Sequence, residues 1–127
     1  MIFGIGTDIV EIQRMQELLD KHGDKAAQKI LSDSEFVGFQ QAANPAAFLA
    51  KRFAAKEATA KAFGTGFREG LSLRHITVKN NGLGRPELHL TERANTLLSE
   101  LNIGNYFLSL SDEKYYAIAH VVLEQNA

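Results

Sequence analysis

A chain of 127 residues, 45% hydrophobic and 23% charged, is long enough for one hydrophobic core and short for two, so a single domain over 1–127 is expected. Lys and Arg number 14 against 15 Asp and Glu, a formal charge of -1 that argues against nucleic acid as a partner. The lack of Cys removes disulfides, thiolate nucleophiles and zinc–thiolate sites, and no apolar run nears the roughly 20 residues needed to cross a bilayer.

The opening MIFGIG run has no basic leader and meets Asp8 and Glu11 at once, which predicts a cytoplasmic protein rather than a secreted one. Residues 2–10 read as a mainly buried strand, with Gly4 and Gly6 placed for close packing. The GxG there lacks the third glycine, and the dinucleotide fingerprint fails on spacing. Asp8 stands in this apolar stretch and must be hydrogen-bonded, charge-compensated, metal-bound or exposed by a bulge.

Ile12, Met15, Leu18 and Leu19 space an amphipathic helix over 11–22, closed by Gly23 and carrying Arg14 beside its apolar stripe. Two brief helical pieces follow in 24–43, with Ser32 and Glu35 in a capping-box pattern. The longest element runs from Ala46 to Phe63, with Asn44 as N-cap, Pro45 in its first turn and Gly64 as C-cap. Leu49, Phe53, Ala60 and Phe63 form its apolar ridge, interrupted by Lys56; Ala46, Ala50 and Ala54 form a small-residue strip beside it.

Glu57 and Lys61 lie one turn apart along that strip, either as an ordinary surface pair or as part of a site. Residues 65–72 form a loop. A strand over 73–79, the Asn81–Gly82 turn and a strand over 87–90 make a hairpin. Thr91 is placed to cap a helix over 92–101, and strands over 106–110 and 115–123 close the chain around a turn at 111–114. The order β, helices, ββ, α, ββ predicts an α+β fold, a mostly antiparallel sheet packed against a long central helix.

Asp8 and Glu57 are the best hard-metal ligand pair, provided that the long helix packs on the first strand. Lys61 would then meet phosphate oxygens of the same ligand, and Gly64 and Gly66 could bring backbone donors close to it.

The segments FGIGTDIVEIQR at 3–14 and FAAKEATAKAFGTG at 53–66, with NNGLGRP at 80–86 and SLSDEKYYAIA at 109–119, strongly resemble the bacterial holo-acyl-carrier-protein synthase family of 4'-phosphopantetheinyl transferases. The resemblance covers essentially the whole chain. It implies magnesium held by Asp8 and Glu57 and bridged to the pyrophosphate of coenzyme A, and a phosphate contact from Lys61. Arg52, Lys56, Gly64, Gly66, Ser109 and Ser111 fall in the coenzyme-binding region it implies, and Arg14 on the surface that docks acyl carrier protein.

The reaction so implied moves phosphopantetheine to a carrier serine for fatty acid biosynthesis. Glu57, directly or through water, is the leading base, with a magnesium-bound hydroxide as the alternative. A homotrimer with sites at subunit interfaces is also implied. One departure stands out: the family's terminal hairpin commonly reads Ser-x-Ser-His, whereas Asp112 follows Ser111 here. The rival readings are a non-enzymatic carrier-protein binder and a magnesium-dependent nucleotide hydrolase.

Overall fold

The computed structural model describes residues 1–127. Strand β1 spans Ile2–Glu11, followed by helices α1 (Ile12–His22), α2 (Asp24–Ile30), α3 (Asp33–Gln41) and α4 (Pro45–Phe63). A 3-10 turn over Leu73–His75 leads into the hairpin β2 (Ile76–Asn80) and β3 (Pro86–Leu90). Helix α5 (Glu92–Glu100) and the long pair β4 (Ile103–Asp112) and β5 (Tyr116–Gln125) complete the chain. Every strand pair is antiparallel, but the expected sheet is two: β1-β5-β4 and β2-β3.

Local chemistry sets the ends of α4 as the sequence predicts. The Asn44 side chain accepts a hydrogen bond from the Ala47 amide at 3.1 Å, Pro45 stands in the first turn, and Gly64 ends the helix at φ 85°. Three expectations need correction. Residues 73–75 form the 3-10 turn rather than strand. Thr91 stands at the N-cap position before Glu92, but its hydroxyl donates to the His75 carbonyl at 3.3 Å and makes no capping bond to the helix. Strand β4 runs from Ile103 to Asp112, so the closing turn shrinks to Glu113–Tyr115, where the Glu113 amide bonds the Tyr116 carbonyl.

The inner face of the three-stranded sheet carries Ala117, Ala119, Val121 and Leu123 of β5, all fully buried, with α4 packed over it. On β1 the same face presents Gly4, Gly6 and Asp8. A Cβ on Gly6 would collide with the Ala58 carbonyl oxygen and stand 2.8 Å from the Ala62 amide nitrogen; one on Gly4 would overlap the Ala62 carbonyl. Backbone therefore rests on backbone, and the tightness expected at these glycines has its partner in α4. Along that contact the helix is Ala54, Ala58 and Ala62, each nearly or fully buried.

The far flank of α4 is held by charge. Lys56 does not break the ridge at a surface: its ammonium is fully buried, 2.7 Å from Glu35 Oε1, and donates to the carbonyls of Leu73 (2.9 Å) and Ile76. Glu35 in turn accepts from the amides of Val78 and Ser32, each at 2.9 Å. This hub ties α3, α4 and the start of β2 together with its strongest donors and acceptors matched.

Substituting Gly6 by Ala should lower the free energy of unfolding by about 3 kcal/mol, because the carbonyl it strikes belongs to a helix that has no flexible side chain to move aside. An unchanged midpoint in chemical denaturation would mean that α4 does not rest on β1.

Candidate active site

The backbone contact brings three of the predicted residues together. Lys61, in the last turn of α4, reaches across to β1, with its ammonium 3.0 Å from Asp8 Oδ1 and 3.0 Å from the Thr7 carbonyl oxygen. The helical pair read from the sequence is thus replaced: Lys61 bonds Asp8 rather than Glu57. Asp8 is largely covered, whereas Lys61 is more than half exposed and keeps a donor for a ligand.

Glu57 takes no part in the ion pairs of the chain. Its carboxyl titrates above the ordinary glutamate range, first because burial disfavours the charge, then because Asp8 is near; Lys61 acts in the opposite direction. Two carboxylates facing one space, with a single lysine against them, suit a divalent cation. No third His, Cys, Asp or Glu joins the pair. Two hard oxygen ligands match magnesium, which keeps several waters and takes substrate phosphate oxygens for the rest of its shell, better than a metal that needs a full protein cage.

The remaining predicted residues lie elsewhere. Lys56 cannot meet a phosphate, since its three donors are consumed by Glu35, Leu73 and Ile76 in a fully buried setting. Arg52 stacks its guanidinium 3.7 Å over the Phe48 ring, and burial depresses its pKa against the opposing charge of Glu35. Five residues before Glu57, it projects about 140° around the helix from it.

Gly64 and Gly66 adopt the left-handed turn, at φ 85° and 63°, with open space where a Cβ would be. Their amides bond the Lys61 and Ala60 carbonyls, so they are not the free donors expected. Ser109 and Ser111 pair across β4 and β5 with His120 and Ile118, which puts them on the sheet face opposite Asp8. Asp112 stands 3.8 Å from Lys51, whose charge offsets its own. Arg14 is exposed on α1.

Sequence reasoning missed Glu35 and the Thr7 carbonyl as partners. A capping-box glutamate carries no mark of a buried ion pair, and a backbone acceptor carries none at all.

A carboxylate pair and a lysine, brought together where a helix packs on a glycine-bearing strand, are a donor set chemically suited to a hard cation and a phosphorylated ligand. Comparison with known proteins narrows that chemistry. The family model of the 4'-phosphopantetheinyl transferase superfamily matches residues 4–119. A holo-[acyl-carrier-protein] synthase of Hamiltonella defensa is 51% identical over 123 residues, 97% of this chain and 98% of the relative. One from Yersinia enterocolitica is 49% identical over the same shares.

The crystal structure of the Neisseria meningitidis synthase superposes with a TM-score of 0.93 at 46% identity, over 98% of this chain and 100% of that one. The Bacillus anthracis synthase in complex with CoA (3',5'-ADP) gives 0.83 at 36%, over 99% of each chain. This chain belongs to the 4'-phosphopantetheinyl transferase superfamily and is an enzyme.

The raised pKa of Glu57 has a testable sign. Its folded-state proton is held more tightly than in the unfolded chain, so this stabilisation is full below the ordinary glutamate value and is lost as pH rises through the raised one. Metal-free Glu57→Gln should therefore melt higher than the parent at pH 7 and alike at pH 4. Magnesium should raise the melting temperature of the parent only. Melts that differ equally at both pH values would remove the raised titration of Glu57.

Proposed function

We propose that this chain is a holo-acyl-carrier-protein synthase, one domain over residues 1–127. It transfers 4'-phosphopantetheine from coenzyme A to a serine of apo acyl carrier protein, releasing adenosine 3',5'-bisphosphate. The observation that carries the reading is the meeting of Asp8, Glu57 and Lys61, 3.0 Å apart where the lysine pairs, in a chain about half identical to proteins named for this activity. Solved relatives from Bacillus anthracis and Helicobacter pylori are complexes with CoA, which supports coenzyme A as the donor.

Asp8 and Glu57 would hold magnesium, which would supply charge neutralisation for the pyrophosphate. Lys61 gives a hydrogen bond and a positive charge to a phosphoryl oxygen, held in place by Asp8 and the Thr7 carbonyl. The carrier serine Oγ forms a bond to the pantetheine-bearing phosphorus as the bond to the bridging oxygen breaks. The leaving bisphosphate keeps that electron pair. Glu57 receives the hydroxyl proton, directly or through one water.

The acidic carrier docks on α1 and α2. Arg14, Leu18 and Lys21 follow one another at helical spacing on α1, and Lys25 and Lys29 line the same region from α2. Leu18 is partly exposed among them and gives the patch an apolar centre.

The chain forms a homotrimer with its sites at subunit boundaries. The sheet face away from α4 exposes Ile5, Ile9 and Phe107, and carries Ser109 and Ser111, which reach a coenzyme only across such a boundary. Arg52, on the flank away from Glu57, takes a coenzyme contact under the same condition. No helix is long and apolar enough to cross a membrane. We place the reaction in the cytoplasm, where it prepares carrier protein for fatty acid biosynthesis.

Apo acyl carrier protein incubated with the enzyme, coenzyme A and magnesium should gain the mass of phosphopantetheine. Asp8→Ala and Glu57→Ala should each cut the rate at least about 100-fold with unchanged circular dichroism. Nucleotide release without protein modification would instead favour a hydrolase. Arg14→Glu should raise KM for carrier protein roughly tenfold while coenzyme affinity by calorimetry stays put. A KM that does not move removes Arg14 from the docking surface.

A further inference from the structure

The three-stranded sheet has two unlike faces. One lies under α4; across the other, pairing sets three rows: Ile5, Val122 and Phe107; Thr7, His120 and Ser109; Ile9, Ile118 and Ser111. Ile5, Ile9 and Phe107 are 60%, 59% and 50% exposed. The middle row is polar, and at its centre the His120 ring sits with Nδ1 2.9 Å from the Thr7 hydroxyl.

Charge is confined to the rim of this face. On β1 the ring is flanked by Ile5, Thr7 and Ile9, and on β4 by Phe107, Ser109 and Ser111. Along its own strand the same-face neighbours are Ile118 and Val122, then the Tyr116 phenol and Glu124; Glu11 faces Tyr116 at the far end of β1, and Glu124 bonds Asn105. Glu11 and Glu124 each stand four residues along a strand from the middle row, about 13 Å away. Asp8 and Lys61 lie behind the sheet, paired with each other. Two such faces can meet without bringing formal charges together, and that favours a copy of the same chain as the occupant.

We propose that His120 makes this self-assembly proton-linked: copies pack through the outer face while the imidazole is neutral and separate when it is protonated. The proposal rests on the trimer reading above. A neutral ring satisfies Nδ1 with the Thr7 hydroxyl and leaves Nε2 for a polar group across the boundary. An imidazolium carried into the same contact would lose its water among isoleucine, valine and phenylalanine, with no carboxylate in its row to replace it. Imidazoles ordinarily change charge between about pH 5 and 8, so the penalty falls within reach of a living cell. Each copy brings one ring, and each ring that must shed a proton on assembly can weaken it by up to about tenfold per unit fall in pH.

The test is sedimentation velocity at pH 8 and pH 5.5, on the parent and on His120→Gln, whose amide can bond Thr7 but cannot take a proton. The parent is expected as a trimer at pH 8 and predominantly as monomer at pH 5.5, with unchanged circular dichroism; His120→Gln should be assembled at both. A parent that stays trimeric at pH 5.5, or a glutamine variant that dissociates in parallel with it, overturns the proton linkage. A parent that is monomeric at pH 8 overturns the assembly reading and this proposal with it. Transfer activity assayed at pH 8 reports separately on the Asp8, Glu57 and Lys61 centre.

Discussion

The site depends on one steric constraint, the direct contact of α4 backbone with β1 through two glycines. Two residues of strand advance about 6.7 Å and four residues of helix about 6 Å, so Gly4 against Ala62 and Gly6 against Ala58 keep pace with each other. Continued one step further, that spacing brings Asp8 level with the turn that begins at Ala54, and Glu57 lies three residues on within that same turn. A side chain on either glycine would push the helix outward and part the two carboxylates. The geometry of the Asp8, Glu57 and Lys61 cluster is therefore set by residues that have no chemistry of their own.

Contact distance alone does not fix how the helix is turned about its axis. That angle is held from the far flank, where Lys56 is drawn fully inward to Glu35 and two carbonyls. Burial works against the lysine's charge and Glu35 works for it. Removing either partner would leave an uncompensated charge in the core, at a cost of about 3–5 kcal/mol. With Lys56 pinned toward α3 and β2, adjacent Glu57 is carried about 100° around and Lys61 returns to the same flank as Glu57, toward β1.

Much of this was legible in the sequence, and the limits follow from reach. The element order, the Asn44 and Gly64 ends of α4 and the hairpin at Asn81 depend on neighbours a few residues away, and each is found. The small-residue signals at Gly4, Gly6 and Ala54 announced a close approach without naming its partner. Lys56 was misjudged because its partner lies 21 residues away and looks like an ordinary capping-box residue. Ser109 and Ser111 carry no mark of which face they occupy; that is decided by strand pairing, and β4 and β5 shift register between Ile103 and Asn105. Spacing alone leaves Glu57 and Lys61 indistinguishable from a surface pair; Asp8 makes a metal and phosphate site conceivable, and the family resemblance supplies the coenzyme and the reaction.

Thr7 is where the two faces of the sheet meet. Its carbonyl accepts from Lys61 on the helix side, and its hydroxyl contacts His120 on the outer side. Packed strands pass small displacements along rather than absorbing them, because interiors at close-packed density leave no slack. A rearrangement of the outer face that moves the Thr7 backbone must then move an acceptor of the lysine beside Asp8. The apolar residues Ile5 and Ile9 outside and Asp8 inside belong to one strand, so the outer face and the Asp8–Lys61 pair share a single rigid element.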